Sequence, residues 1–517
     1  MPGSPENSGA DGRSDDRACD ALQIKKSATG FASGTLALSL GTTGAQALVI
    51  LSSPVLSRLF LPEAFGLAAI FGAITGTVSL VGCLSYELAI VLPKRDEDAA
   101  NLAGLCLILN LGVAPVVALL VWLFGSPLLS VLKADELEPY KWLIPVVVLL
   151  LGLALPFRYW SSRHSRFKEI GWATLASALV NTVSTVGAGL LGFASGPNLI
   201  VARLPAVATV PGLLGWHCLR KDLRFFMRHC TVRGMWAMAT RYSKFPLVAT
   251  WSALLDAASR QLPVVVMISF FGPEVTGLYA LGQRVLAMPG QLISHSIAQV
   301  FFQRAAAEHA TGAELGNLVR DIYTRLITVG LLPMLIVAMV GPDLFRFVFG
   351  EHWADAGTYS SILTMWMLVM FVSSPLSTIY TVLERQGLRL FMNVLLFAGR
   401  LGTLLIGAAL FKSVVPTLVL FSGAGCVSCL ISLYIVTRLT RADSGAILKH
   451  LALHLAYFVP SAVIMGVVKW GLNLGSAYVT LAAALAVAPY MALALRRDEQ
   501  LRAAFVKAVK SVLRLGR

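Results

Sequence analysis

A succession of apolar runs, each about long enough to cross a bilayer, constrains this chain more than any other feature. A spanning helix needs roughly 20 mainly apolar residues. Such runs read as Phe31–Ser53, Phe65–Leu92, Ala99–Phe124, Trp142–Phe157, Gly171–Phe193 and Asn198–His217. After a polar, basic stretch from Leu219 to Lys244 they resume as Pro246–Phe271, Thr276–Phe302, Ile322–Gly341, Thr358–Tyr380, Leu390–Leu410, Val414–Val436, Leu451–Val468 and Ser476–Leu495. The expectation is an all-α membrane protein with about fourteen transmembrane helices. Only 13% of the 517 residues are charged, against roughly 25% in soluble domains. Such a chain needs lipid as solvent.

Charge placement sets the orientation. Lys and Arg collect on the cytoplasmic side of membrane proteins. With the N-terminus inside, the inner segments hold Lys94, Arg95, Arg158, Arg163, Arg166 and Lys168, then the basic linker, then Arg304, Arg385, Arg389, Arg438 and Arg441. The outer segments offer only Arg58, Lys133, Lys141, Arg346, Lys412 and Lys469. Both termini are therefore expected in the cytoplasm, with the chain in the inner membrane. The net charge of +15 is read as this topology signal and not as nucleic-acid binding. No secretory signal is read at the start; residues 1–28 read as a disordered tail. Residues 496–517 read as a basic amphipathic tail, suited either to the surface of anionic lipid or to a solvated helix.

The chain also repeats itself. Leu61-Pro62-Glu63-Ala64-Phe65-Gly66-Leu67 follows the first span, and Gly272-Pro273-Glu274-Val275-Thr276-Gly277-Leu278 follows the seventh. Each Pro-Glu turn opens a long apolar helix. Six spans separate the copies, and an even number preserves orientation. The halves are thus expected to be parallel repeats about an axis along the membrane normal. This gives six-helix lobes at residues 29–218 and 246–437, joined by the basic linker 219–245, with two extra helices at 438–495. Two lobes around a midplane cavity are a plan for alternating access.

The stretches Ser57–Leu67 (SRLFLPEAFGL), Tyr86–Lys94 (YELAIVLPK), Ser259–Val266 (SRQLPVVV), Phe270–Pro289 (FFGPEVTGLYALGQRVLAMP) and Gln299–Glu308 (QVFFQRAAAE) together resemble the polysaccharide transporter family. That family, which includes O-antigen flippase-like proteins, lies within the superfamily of multidrug, oligosaccharidyl-lipid and polysaccharide exporters. The resemblance covers the first three spans and spans seven and eight. It implies two six-helix lobes forming a V around a central cavity, with two extra C-terminal helices. It further implies export of an undecaprenyl-pyrophosphate-linked oligosaccharide, a lipopolysaccharide or exopolysaccharide precursor, to the periplasmic leaflet. Two positions depart from the family pattern: Ser85 stands where an Arg is common, and Asp256 where an Asn is common.

Charges inside spans are costly and usually face a cavity or a partner. A pyrophosphate needs fixed cations, and Arg binds phosphate oxygens bidentately. Arg260 and Arg284 are the expected phosphate-binding pair, with Arg203 or Arg400 assisting. Asp256 and Arg260 are four residues apart and could instead pair with each other. Asp256 and Glu87 are candidates for coupling to H⁺ or Na⁺; Glu87 could alternatively partner Lys94 or Arg95. Gln261, Gln283, Gln291 and His295 could contact sugar hydroxyls, or simply bond helix to helix. Pro263, within a turn of Arg260, is the hinge candidate.

No phosphate-cradling Gly-rich loop of the Walker type, no H-E-x-x-H and no clustered Cys/His site is present in the sequence, so neither cofactor, metal nor enzyme activity is expected. Cys426 and Cys429 fall inside an apolar run and read as small packing residues. Two alternatives remain: an ion-coupled drug exporter of the same fold, which would want an acidic cavity, and a polymerase or ligase of sugar chains, which would want a large outer loop.

Overall fold

The structure, a computed structural model, describes residues 12–290, 295–311, 314–471 and 475–497. Regular structure among the described residues is entirely helical. Unpaired backbone groups are prohibitive in hydrocarbon, so a chain this apolar closes its hydrogen bonds within helices. The N-terminal lobe consists of α1 (Gly12–Leu59), α2 (Pro62–Ser79), α3 (Asp96–Val131), α4 (Leu143–Arg163), α5 (Phe167–Leu190) and α6 (Gly196–His229). The linker carries a short helix, α7 (Val232–Arg241). The C-terminal lobe holds α8 (Thr250–Pro289), α9 (His295–Ala310), α10 (Leu315–Phe349), α11 (Ala354–Ser373), the single turn α12 (Ile379–Val382), α13 (Gln386–Phe411) and α14 (Val414–Thr440). Two further helices, α15 (Ser444–Gly466) and α16 (Ser476–Arg497), pack on each other and on α10.

Local chemistry starts these helices where the sequence calls for it. Pro62 stands at the start of α2, where its missing N–H costs nothing. Thr231 caps α7 by accepting from the Gly234 amide at 3.0 Å, and Asp443 caps α15 by accepting from Ala446 at 3.0 Å. The packing then repeats. In the first lobe α3 lies on α4, α5 on α6 and α4 on α6; in the second α10 lies on α11, α13 on α14 and α11 on α14.

Eleven helices among the described residues are individually long and apolar enough to cross a bilayer, fewer than the fourteen expected. The differences have local causes. The seventh and eighth expected spans are continuous as α8, broken only by Gly272 (φ 85°, ψ −179°). The second expected span is split: α2 ends at Ser79, Leu84 and Ser85 take left-handed backbone (φ 50° and 60°), and a 3₁₀ turn follows at Tyr86–Val91. Two successive non-glycine residues at positive φ mark a break that the surrounding packing holds in place. The apolar part of α16 is short, Ser476–Ala492. At the other terminus, α1 begins at Gly12, inside the expected unstructured tail. No Pro or Gly between Arg13 and Ser27 interrupts helix propagation ahead of the apolar span Ala37–Leu59. Residues 498–517, the expected basic tail, lie outside the described residues.

The two Pro-Glu turns meet face to face. A methyl group on Gly66 would overlap the Pro273 carbonyl, coming within 2.7 Å of its carbon, and a methyl on Gly277 would come within 2.6 Å of the Pro62 carbonyl carbon. The contact is reciprocal, as parallel repeats related by a two-fold axis require. Further cross-lobe bonds gather at this end of the molecule, here termed the seal. The Ser57 hydroxyl donates to the Phe349 carbonyl at 2.9 Å, and the Trp353 indole donates to the Ser57 carbonyl at 2.8 Å. The Lys133 ammonium donates to the Phe270 carbonyl at 2.9 Å. Toward the linker end, Thr250 and Ser85 join the lobes through their hydroxyls at 3.0 Å.

Candidate functional site

Arg203, about two turns into α6, stands where two cavities of the N-terminal lobe meet. The larger, about 600 Å³, is an open cleft between α1, α4, α5 and α6, with Thr42, Gln46, Arg158, Ser177 and Asn181 among its walls. The smaller, about 220 Å³, lies between α2, α4 and α6, floored by Phe71, Gly72, Thr75 and Gly76. No Asp or Glu lines either cavity. The walls thus combine apolar surface with hydroxyls, amides and two guanidinium groups.

Arg284, on the second half of α8, comes from the opposite lobe and lies close enough for its charge to act on Arg203. Both side chains are half-buried. Neither forms a hydrogen bond or ion pair among the described residues, and no carboxylate acts on either. Two like charges with no counterion among the described residues suit an anion, whose arrival would relieve both their desolvation and their mutual repulsion.

The other expected cations are placed differently. Arg260 forms an ion pair with Asp256, one turn earlier on α8, and the side chains are 62% and 67% exposed. The Arg260 charge is matched locally by Asp256, whereas Arg203 and Arg284 have no carboxylate partner among the described residues. Arg400, on α13, lies inside the C-terminal lobe with its guanidinium carbon 4.7 Å from the centre of the Trp366 ring. A desolvated contact of this kind is worth about 2 kcal/mol. Its Nε is buried without a hydrogen-bond partner among the described residues.

Glu87 lies in the 3₁₀ turn beyond the break in the second span. It is 8% exposed, and one carboxylate oxygen has no hydrogen-bond partner among the described residues. It is not paired with Lys94 or Arg95. Gln261 and Gln283 are half-buried on α8; Gln291 and the side chain of His295 lie outside the described residues. Pro263 is buried within a helical stretch, and the non-helical residue of α8 is Gly272. Sequence reasoning missed the cavity walls Gln46 and Asn181, although polar amides inside the first and fifth apolar runs were a legible signal. It also read Arg158 as a topology charge alone.

Comparison with known proteins follows this geometry. Residues 55–358 match the family profile described as polysaccharide biosynthesis protein. The succinoglycan biosynthesis transport protein ExoT of Rhizobium meliloti (strain 1021) is 25% identical over 430 residues, covering 80% of each chain. Among solved structures, the lipid II flippase MurJ in an inward closed conformation superposes with a TM-score of 0.67 at 11% identity, covering 90% of this chain and 99% of that one. An inward-facing multidrug resistance transporter of the MATE family superposes with a TM-score of 0.62 at 14% identity, covering 78% and 96%. At these identities the likeness to solved structures concerns the fold. The family profile spans more than half of the sequence and takes in both Pro-Glu turns and both juxtaposed arginines, Arg203 and Arg284: the chain belongs to the polysaccharide biosynthesis protein family.

Proposed function

We propose that this protein is a flippase that carries a lipid-pyrophosphate-linked oligosaccharide across the inner membrane by alternating access. The observation that carries the reading is the Arg203–Arg284 pair: two guanidiniums, one from each lobe, without a partner among the described residues and within reach of each other's charge, with Arg203 lining two carboxylate-free cavities. A pyrophosphate presents oxygens on two linked phosphates, so one guanidinium can grip each. Because the cations sit on different lobes, an anion held between them is gripped in one arrangement of the lobes and released when they rock apart. The sugar units would enter the N-terminal cavity, where Gln46, Asn181 and Thr42 offer partners for hydroxyls.

Lys and Arg mark the linker end as cytoplasmic, which puts both termini inside and the seal at the periplasmic face. The arrangement described is then closed to the outside and loads from the cytoplasm. ExoT is named for succinoglycan transport and MurJ for flipping lipid II; both names support a polysaccharide precursor as the cargo here. The exposed Asp256–Arg260 pair belongs on a water-facing wall, because charges facing lipid are prohibitive. Glu87, buried beside a held break with one oxygen unsatisfied, is the coupling candidate for H⁺ or Na⁺.

A drug exporter of the same fold is less well supported, since organic cations need acidic walls and these cavities have none. Proteoliposomes loaded with a fluorescent undecaprenyl-pyrophosphate sugar test the proposal. Wild-type protein should move the label between leaflets, and Arg203→Ala and Arg284→Ala should each slow it at least tenfold. Unchanged rates in both variants would remove the proposed site.

A further inference from the structure

The linker helix α7 exposes two different stripes. Val232 and Trp236, one turn apart, are 83% and 73% exposed. Beside them Arg233 and Arg241 point outward, with no ion pair among the described residues. The third stripe, Met235, Met238 and Ala239, packs toward the lobe. At the end of α6, five residues before Val232, Met227 is 76% exposed next to an exposed Arg228. A solvated linker has no reason to expose tryptophan, valine and methionine side by side.

Depth decides what covers this surface. Asn101 of α3, itself buried, accepts from the Thr231 amide at 2.9 Å and donates to the His229 carbonyl at 3.0 Å. Gly234 lies so close to the Asn101 side chain that a methyl there would approach its oxygen to 2.5 Å. The Tyr86 hydroxyl donates to the Ala239 carbonyl at 3.0 Å and holds the other end. Asn101 is five residues past Asp96, the start of α3, which at 1.5 Å per residue is about 8 Å along the helix. The acidic first turn of α3, Asp96, Glu97 and Asp98, belongs at headgroup level. α7 is therefore pinned just beneath that level, within the 5–10 Å depth typical of interfacial helices. A tryptophan flanked by arginines at this depth matches the aromatic and basic belts of membrane proteins.

We propose that α7 with the end of α6 forms an interfacial plate that binds anionic phospholipid headgroups through Arg228, Arg233 and Arg241 while Trp236, Val232 and Met227 enter the acyl boundary. Asn101 and Tyr86 fix the plate to the N-terminal lobe, so the headgroups anchor that lobe while the C-terminal lobe moves against it. The inference rests on the membrane reading of the chain and is independent of what is transported.

The test uses the full chain in nanodiscs of phosphatidylcholine alone or mixed with phosphatidylglycerol, with and without bromine on the acyl chains. Subtracting the emission of Trp236→Phe from that of the wild type isolates Trp236. The expected result is quenching by shallow bromine, stronger with phosphatidylglycerol present. In parallel, the gain in melting temperature on adding phosphatidylglycerol should fall by at least half in Arg233→Gln/Arg241→Gln and stay unchanged in Arg346→Gln at the seal. Trp236 emission insensitive to bromine, as for a plate covered by a soluble protein, overturns the proposal. So does an unaltered phosphatidylglycerol gain in the double variant. Should that variant fail to fold, the Trp236→Phe comparison decides alone.

Discussion

Gly66 and Gly277 are structural counterparts across the two lobes: each abuts the carbonyl of the proline in the other's Pro-Glu turn, Pro273 for Gly66 and Pro62 for Gly277. Neither site has room for a side chain, and backbone on the far side cannot swing away as a rotamer could. Gly66→Ala or Gly277→Ala should therefore force the seal apart. Overpacking of this kind costs about 1–3 kcal/mol. Labels placed on the two turns should report a longer distance in each single variant, and the double variant should add little, because both act on one contact.

The cation pair predicts a dissociation of activity from stability. Arg203 and Arg284 have no protein partner among the described residues, so removing either leaves nothing buried and unpaired behind. Arg203→Gln and Arg284→Gln should lose transport tenfold or more while the melting temperature holds or rises.

A contrast is Asp222, which accepts from Arg166 at 2.8 Å and from the Trp160 indole at 2.9 Å. Its carboxylate is 13% exposed and the Arg166 side chain 17%. Asp222→Asn should destabilise the N-terminal lobe by roughly 3 kcal/mol or more, the range for stranding a buried charge. Thermal unfolding would register this loss.

The seal should respond to pH. The Glu63 carboxyl is raised above the usual carboxylate value by burial first, then by the charges of Glu136 and Glu274; Glu274 is its counterpart in the other Pro-Glu turn. A carboxyl raised in the closed form favours closure while protonated. That contribution is full below its ordinary value in the open form and is lost as pH rises through the raised value. Acidifying the seal side should increase the closed population, read as slower labelling of a cysteine placed between the turns, and Glu63→Gln should flatten the dependence.

Gly272 rather than Pro263 is expected to govern the geometry of α8. Its φ of 85° with ψ near 180° is a conformation open essentially to glycine alone, and a side chain there costs on the order of 1–3 kcal/mol. Gly272→Ala should lower the melting temperature and the transport rate together, while Pro263→Ala, inside an unbroken helix, should change both less.

Much here was readable before any fold was known, because it depends on short-range physics. Apolar runs of spanning length dictate helices in lipid, Pro62 opens a helix by its fixed φ, and Asp256 and Arg260 pair because four residues make one turn. The repeat of Pro-Glu turns was visible for the same reason, as were Glu87 and Arg203 as charges within apolar runs. What the tertiary structure alone decided is which distant groups meet. Arg203 and Arg284 come within reach of each other's charge only because α6 and α8 are brought together across two lobes. Gly66 and Gly277 matter only because the two turns touch, and the left-handed pair Leu84 and Ser85 is held by packing that no local spacing announces. Rotation, depth and strain of that kind arise from packing summed over many helices, and no spacing along a single one encodes them.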